Sequence, residues 1–210
     1  MPSSAGAKAV VVFDLGGVLI DWNPRYLYRQ LLDDEREIER FLSEVCHAEW
    51  NEEQDRGRTF DEAVEEAAAR HPDQRPLIEA YHHRWHEMLA GPIEGSVQIL
   101  GELKQAGYEL HALTNWSVEK FPIARERYDF LRHFESILVS GEVGLIKPDP
   151  RIFELLLESI GRAAAGCIYI DDNARNVAAA SALGFDALQF EGPERLRRDL
   201  VRRRVLGGRT

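Results

Sequence analysis

The feature of this sequence that most constrains its fold is a series of short apolar runs, each followed by polar residues. The first run, residues 9–13, is rich in valine and ends at Asp14, as is typical of a strand buried on both faces of a sheet. Segments with apolar residues at helical spacing separate the runs. We therefore predict an α/β fold with a doubly wound parallel sheet. The later runs are residues 108–113, 136–139 and 167–170, with a shorter one at 187–188.

A long helical region interrupts this alternation soon after the first strand. Between about residues 23 and 90 the strand signal disappears, and apolar residues recur at helical spacing among charged ones. Pro24 opens the region and Gly91 closes it. We predict an α/β core formed by residues 1–22 and 91–210, with an all-helical insert at residues 23–90.

Composition narrows the classes of function. The 210 residues carry 26 Lys and Arg against 36 Asp and Glu, a formal net charge of −10. This charge disfavours a general binder of nucleic acid or of anionic membranes. The apolar run near the N-terminus is too short for a signal peptide or a membrane span, and Cys46 and Cys167 lack the spacing of a zinc site. We expect a cytoplasmic protein that is a monomer or a homodimer.

Polar residues follow each of the four longer runs, where a parallel sheet presents the carboxyl ends of its strands. Ligands bind at this edge in open parallel sheets, so these residues are the candidates for a functional site. They supply a carboxylate nucleophile, a hydroxyl, a lysine and two adjacent carboxylates, which are groups that phosphoryl transfer requires. In chain order the segments are Asp14-Leu15-Gly16-Gly17-Val18, Thr114-Asn115-Trp116, Lys147-Pro148 and Asp171-Asp172-Asn173.

With these four segments in this order, the sequence resembles the haloacid dehalogenase-like (HAD) superfamily, specifically its members with a helical cap inserted after the first strand. The resemblance covers roughly the whole chain and identifies the helical insert as the cap. It implies that Asp14 attacks phosphorus to form an aspartyl-phosphate and that Mg²⁺ is the cofactor. Thr114 would bind the transferred phosphoryl group beside Asn115, and Lys147 would neutralise its charge. The implied metal ligands are Asp14, the Gly16 carbonyl, Asp172 and, directly or through water, Asp171.

One position departs from the family pattern. Phosphatases of the family usually carry a second aspartate two residues after the nucleophile, which protonates the leaving group and then activates water. This chain has Gly16 there, and Asp21 further along is expected to be a loop residue rather than a replacement acid. Three interpretations stay open. The first is a phosphatase for substrates with good leaving groups, such as an anomeric sugar phosphate or an acyl phosphate. The second is a metal-independent 2-haloacid dehalogenase, and the third is a catalytically silent member that binds a phosphoryl ligand or a partner.

The adjacent carboxylates favour the first interpretation. Asp171 and Asp172 repel each other and favour a bound cation, whereas dehalogenases of the family use no metal and replace this pair. The prediction is a Mg²⁺-dependent phosphatase that acts on a small phosphorylated metabolite such as a sugar phosphate. Cap residues that face the core would select the substrate, and a tryptophan beside an amide suits a sugar or another small polyol. The expected substrate-binding residues are Trp22, Trp50, Asn51 and Arg56.

Overall fold

The computed structural model describes residues 9–207 and contains two β-sheets. The outer ends of the predicted core, residues 1–8 and 208–210, lie outside the described residues. The strands are β1 (Val10–Phe13), β2 (Ile20–Trp22), β3 (Leu89–Pro92), β4 (Glu109–Thr114), β5 (Ser136–Val139), β6 (Cys167–Asp171) and β7 (Asp186–Gln189). The larger sheet has the order β5-β4-β1-β6-β7 with every neighbouring pair parallel, which confirms the predicted α/β class.

The central strand β1 is buried on both faces. Val11 and Phe13 belong to one hydrophobic cluster, whereas Val10 and Val12 belong to a second cluster on the opposite face. Successive side chains of a strand point to opposite faces, so an uninterrupted apolar run can fill two cores at once. The valine-rich run near the N-terminus therefore specifies the middle of a sheet that is covered on both sides.

Every regular element described between residues 25 and 88 is helical. We call these residues the helical segment. Its α-helices are α1 (Arg25–Tyr28), α2 (Glu35–Glu44), α3 (Ala48–Asp55), α4 (Phe60–Arg70) and α5 (Arg75–His83). Local capping helps to set these bounds, since Thr59 and Glu62 form a reciprocal capping box at the start of α4. Aromatic rings fill the interior, with the Tyr28 and Phe41 rings 4.7 Å apart.

The helical segment is joined to the core through the smaller sheet. The chain leaves the core along β2 and returns along β3, and the two strands pair antiparallel with Asp21 opposite Gly91. The sequence analysis did not predict these two strands. Gly91 and Pro92 are turn-forming residues, and a strand that contains them carries little of the usual strand signal.

Six further α-helices follow β3, and all except the short α8 contribute to the clusters on the two faces of the larger sheet, as a doubly wound fold requires. They are α6 (Glu94–Gln105), α7 (Phe121–Arg127), α8 (Ser140–Val143), α9 (Pro150–Ile160), α10 (Ala174–Ala182) and α11 (Pro193–Arg202). Leu103 of α6 and Leu200 of α11 pack on the face of Phe13, whereas Phe153 of α9 and Ala180 of α10 pack on the face of Val12. Within residues 9–207, each helix is too short or too polar to cross a bilayer.

Candidate active site

Four buried side chains meet at the carboxyl edge of the larger sheet. Asp14 directly follows β1, while Thr114 and Asp171 are the last residues of β4 and β6. Lys147 lies in the loop between α8 and α9, and its ammonium reaches the same point. Because β1 runs between β4 and β6 in a parallel sheet, the ends of all three strands lie side by side.

The Lys147 ammonium bridges two carboxylates. Its Nζ lies 2.9 Å from Asp14 Oδ2 and 2.8 Å from Asp171 Oδ2, and it donates a third hydrogen bond to the Leu113 carbonyl at 3.0 Å. The side chain is only 1% exposed. Burial by itself lowers the pKa of Lys147, but Asp14 and Asp171 together raise it above its usual range. A fixed positive charge therefore lies beside Asp14.

Asp171 is held by its own surroundings. One oxygen accepts hydrogen bonds from Lys147 and from the Tyr169 hydroxyl at 2.5 Å, and the other accepts from the Asn173 N–H at 2.8 Å. The Asn176 amide donates to both oxygens at 3.1 Å. Burial opposes ionisation, yet Lys147 and these donors keep the pKa of Asp171 below its usual range. Asp171 therefore helps to position Lys147, and its expected role as a metal ligand, directly or through water, stays a prediction.

Asp172 faces outward beside the loop that follows β1. Gly17 adopts a left-handed backbone conformation, φ +72°, and a Cβ at this position would collide with the Asp172 carboxylate. Glycine is therefore required for the two loops to approach each other. Burial and the neighbouring Asp171 raise the pKa of Asp172.

Asp14, Asp171 and Asp172 form a group that could hold a metal ion, since each offers an oxygen and these oxygens lie within 4.8 Å of one another. Burial raises the pKa of Asp14 to about 8, with a further contribution from Asp171 and with Lys147 opposing it. A divalent cation favours the ionised form of nearby carboxylates and accepts oxygen ligands. Lys147 alone does not neutralise these three carboxylates, so their arrangement suits a Mg²⁺ ion.

Asn115 positions the loop that carries Lys147. Its side-chain amide donates to the Lys147 carbonyl at 3.0 Å, and its side-chain oxygen accepts from the Lys147 N–H at 2.8 Å. Two hydrogen bonds to one residue fix the backbone from which the lysine extends. Thr114, directly before it, is buried at the end of β4.

A cavity of about 70 Å³ lies between the helical segment and this edge of the sheet. Trp22 and Asn51 line it, as expected from the sequence, together with Gly16 and Asn115 of the core. The sequence analysis assigned no such position to the other lining residues. These are Asp55, Phe60, Trp85, Trp116 and Ser117.

Two of the expected substrate-binding residues, Trp50 and Arg56, do not line this cavity. The Trp50 ring packs at 5.0 Å from the Tyr81 ring, and its N–H donates to the Ala63 carbonyl at 3.4 Å, so it stabilises the interior of the helical segment. Arg56 is exposed and lies 3.6 Å from Glu53. Neither side chain lines the cavity.

One sequence signal could have pointed to Asp55. It lies four residues after Asn51 on α3, and residues at this spacing share one face of a helix. A helix whose amide faces the core therefore turns this carboxyl in the same direction. The cavity's aromatic residues carry no comparable signal, because aromatic side chains line interiors of every kind.

The family model for haloacid dehalogenase-like hydrolases matches residues 8–184, and the chain belongs to that family. This confirms the resemblance drawn from the four strand-end segments.

Individual relatives show how broad that family is. The chain is 29% identical over 180 residues to a sesquiterpene phosphatase from Aspergillus oryzae, covering 85% of this chain and 88% of that protein. It is 34% identical over 122 residues to a phosphoserine phosphatase from Thermus thermophilus, covering 56% of this chain and 47% of that protein. A HAD-family enzyme from Bacteroides thetaiotaomicron, solved as its magnesium complex, matches the fold with a TM-score of 0.69 and 22% identity, covering 89% of this chain and 95% of that one.

Proposed function

We propose that this chain is a Mg²⁺-dependent phosphatase that hydrolyses a small phosphorylated metabolite, such as a sugar phosphate, through an aspartyl-phosphate on Asp14. The observation that carries the proposal is the buried Lys147 ammonium, 2.9 Å from Asp14 and 2.8 Å from Asp171, beside a group of three carboxylates. Lysine neutralises phosphoryl oxygens, and the carboxylates suit a cation. The phosphatases among its relatives support the same chemistry.

Asp14 is placed to act as the nucleophile. One of its carboxylate oxygens attacks phosphorus, the bond from phosphorus to the organic oxygen breaks, and water then hydrolyses the acyl phosphate to release phosphate. The Thr114 hydroxyl and the Lys147 ammonium hold the phosphoryl oxygens during both steps. Asn115 and Asp171 keep Lys147 at this point through the hydrogen bonds described above.

We propose that Mg²⁺ is held by Asp14, the Gly16 carbonyl, Asp172 and, directly or through water, Asp171. When bound, the cation supplies positive charge that stabilises the phosphoryl oxygens in the transition state. Asp172 is suited to this task because Gly17 lets its loop approach Asp14 closely. Magnesium is also present in the crystals of the Bacteroides thetaiotaomicron enzyme.

We propose that the helical segment belongs to a cap formed by residues 23–90, on a core of residues 1–22 and 91–210. The aromatic rings and the amides of Asn51 and Asn115 around the cavity suit a sugar, whose apolar face stacks on aromatic rings and whose hydroxyls bind amides. The two cysteines, both buried and unpaired, agree with a reducing compartment, so we also propose a cytoplasmic location.

Phosphate release tests this proposal. Wild type, Asp14→Asn and the surface control Asp129→Asn are each assayed on sugar, nucleotide and acyl phosphates, with Mg²⁺ and with chelator. We expect wild type and the control to release phosphate with Mg²⁺ but not with chelator. Asp14→Asn should release none. Halide release from 2-haloacids that is unaffected by chelator would instead establish the dehalogenase. Ligand-induced stabilisation without any turnover would establish a silent binder.

A further inference from the structure

The proposed reaction needs a proton donor for the leaving group, and the loop after β1 lacks one. Gly16 stands two residues after Asp14, where it offers no side chain. Asp21 is the next acid in the chain, but it lies in β2 and its carboxylate accepts a hydrogen bond from the Tyr26 hydroxyl at 2.8 Å. It is not among the residues that line the cavity. The donor must therefore come from another element.

Asp55 is the only carboxyl group among the residues that line this cavity in the described chain. It is the last residue of α3, so the helical segment and not the core supplies it. Gly16 and Asn115 line the same cavity from the opposite side. Gly16 is two residues from Asp14 and Asn115 is next to Thr114, so we place the leaving group in this space.

The Asp55 carboxyl is held in place from both sides of the cavity. The Asn51 amide, one turn earlier on α3, donates to Asp55 Oδ2 at 3.1 Å. The backbone N–H of Ser117, in the loop after β4, acts on the same carboxyl group and lowers its pKa. The position of the acid is therefore fixed relative to the strand that ends in Thr114.

The backbone of Asp55 is also docked on the core. Its carbonyl accepts a hydrogen bond from the Ser140 hydroxyl at 2.5 Å, and the same hydroxyl accepts from the Trp116 N–H at 2.9 Å. Ser140 is fully buried at the start of α8. The end of α3 is thus attached to the start of α8 and, through Ser140, to the loop that carries Asn115.

We propose that Asp55 is the general acid and base of the reaction, which rests on the phosphatase function proposed above. As Asp14 attacks phosphorus and the bond to the organic oxygen breaks, the Asp55 carboxyl gives its proton to that oxygen, which leaves as an alcohol. The resulting carboxylate accepts a proton from the water that attacks the aspartyl-phosphate. Phosphate and the Asp14 carboxylate are released, and Asp55 is again protonated.

The surroundings of Asp55 suit both halves of this cycle. Burial raises the pKa of Asp55 to about 7, and the like charge of Glu52 on the same helix adds to the shift. Lys147, from the loop between α8 and α9, and the Ser117 N–H oppose it. A group with a pKa near the working pH exchanges protons most effectively in both directions.

A series of leaving groups separates this role from a structural one. kcat/KM with Mg²⁺ is measured for wild type, Asp55→Asn and the control Glu53→Gln on nitrophenyl phosphate, phenyl phosphate and a set of alkyl phosphates. Nitrophenolate leaves without a proton, so we expect Asp55→Asn to lose at most about threefold on it. Alkoxides need the proton, and there we expect a loss of about 10²–10⁴-fold. The control should follow wild type throughout.

The results with this series of esters test the role of Asp55 and the phosphatase function separately. An equal loss on all esters, or no loss on alkyl esters, overturns the role of Asp55 but leaves the phosphatase. Absence of release from every ester by wild type overturns the phosphatase itself. Because the decisive quantity is a ratio between substrates in one preparation, a partly unfolded variant does not change it. Asp55→Ala, tested in the same way, gives a second measure if the asparagine variant does not fold.

Discussion

Replacing Lys147 with methionine should lower the free energy of unfolding, because Asp14 and Asp171 share its ammonium as a partner. Nζ lies 2.9 Å from Asp14 Oδ2 and 2.8 Å from Asp171 Oδ2. Methionine keeps most of the apolar volume of the side chain but removes the charge. Removing one partner of a buried ion pair costs about 3–5 kcal/mol, because the other partner stays buried without compensation.

The lower end of that range is expected at neutral pH. Burial raises the pKa of Asp14 to about 8 even with Lys147 present, so without metal Asp14 is mostly protonated at neutral pH and removing Lys147 exposes mainly the charge of Asp171. We expect the free energy of unfolding to fall by about 3 kcal/mol. Domains are stable by about 5–15 kcal/mol, so the variant should remain folded.

Urea-induced unfolding in the presence of chelator measures this loss directly. Lys104→Met is the matched control, because that side chain is 39% exposed and lies 3.9 Å from Glu135. Exposed ion pairs contribute about 0–1 kcal/mol, so the control should stay close to wild type. A loss below about 1 kcal/mol for Lys147→Met, with an unchanged slope against urea, would falsify the reasoning that Lys147 compensates buried carboxylate charge.

Three further changes have defined outcomes. Gly17→Ala should reduce the rise in melting temperature that MgCl₂ produces, because the added methyl group displaces Asp172; an undiminished rise would contradict the proposed ligand. Trp50→Ala should lower the free energy of unfolding by about 3–5 kcal/mol and leave KM unchanged. A raised KM would indicate that Trp50 contacts the substrate. Folding raises the pKa of Asp55 from 3.8 to about 7, so its protonated form stabilises the fold at low pH and this contribution is lost as pH rises to 7. The stability of Asp55→Asn relative to wild type should therefore increase between pH 4 and pH 7 in chemical unfolding, and a flat difference would argue against the shift.

The core and the residues at its strand ends follow from local sequence. The valine run before Asp14 has one stable placement, a central strand with both faces covered, because each of its residues is apolar. Once the sheet is parallel, its strand ends lie at one edge whatever the detailed register. This is why Thr114, Lys147 and Asp171 could be grouped with Asp14 from the sequence alone.

The different surroundings of Asp171 and Asp172 depend on packing. Asp171 and Asp172 are chemically alike, but one is buried among Lys147, Tyr169 and Asn176 while the other faces outward. The position of Asp55 at the cavity likewise depends on the docking of α3 on Ser140. Trp50 and Trp22 carry the same side chain, yet only Trp22 lines the cavity. Contacts between distant segments decide such cases, and no local pattern encodes them.

The pairing of β2 with β3 has a consequence for how proteins of this kind diversify. The chain departs from the core and rejoins it at hydrogen-bonded neighbours, so the ends of the intervening stretch are fixed close together. Exchanging or lengthening that stretch would leave the register of the parallel sheet untouched, and the entropy of closing a longer loop grows only slowly with its length. The proposed proton donor, Asp55, lies on that stretch. Substrate preference and acid–base chemistry would therefore change together, while Asp14 and the residues around it stay constant.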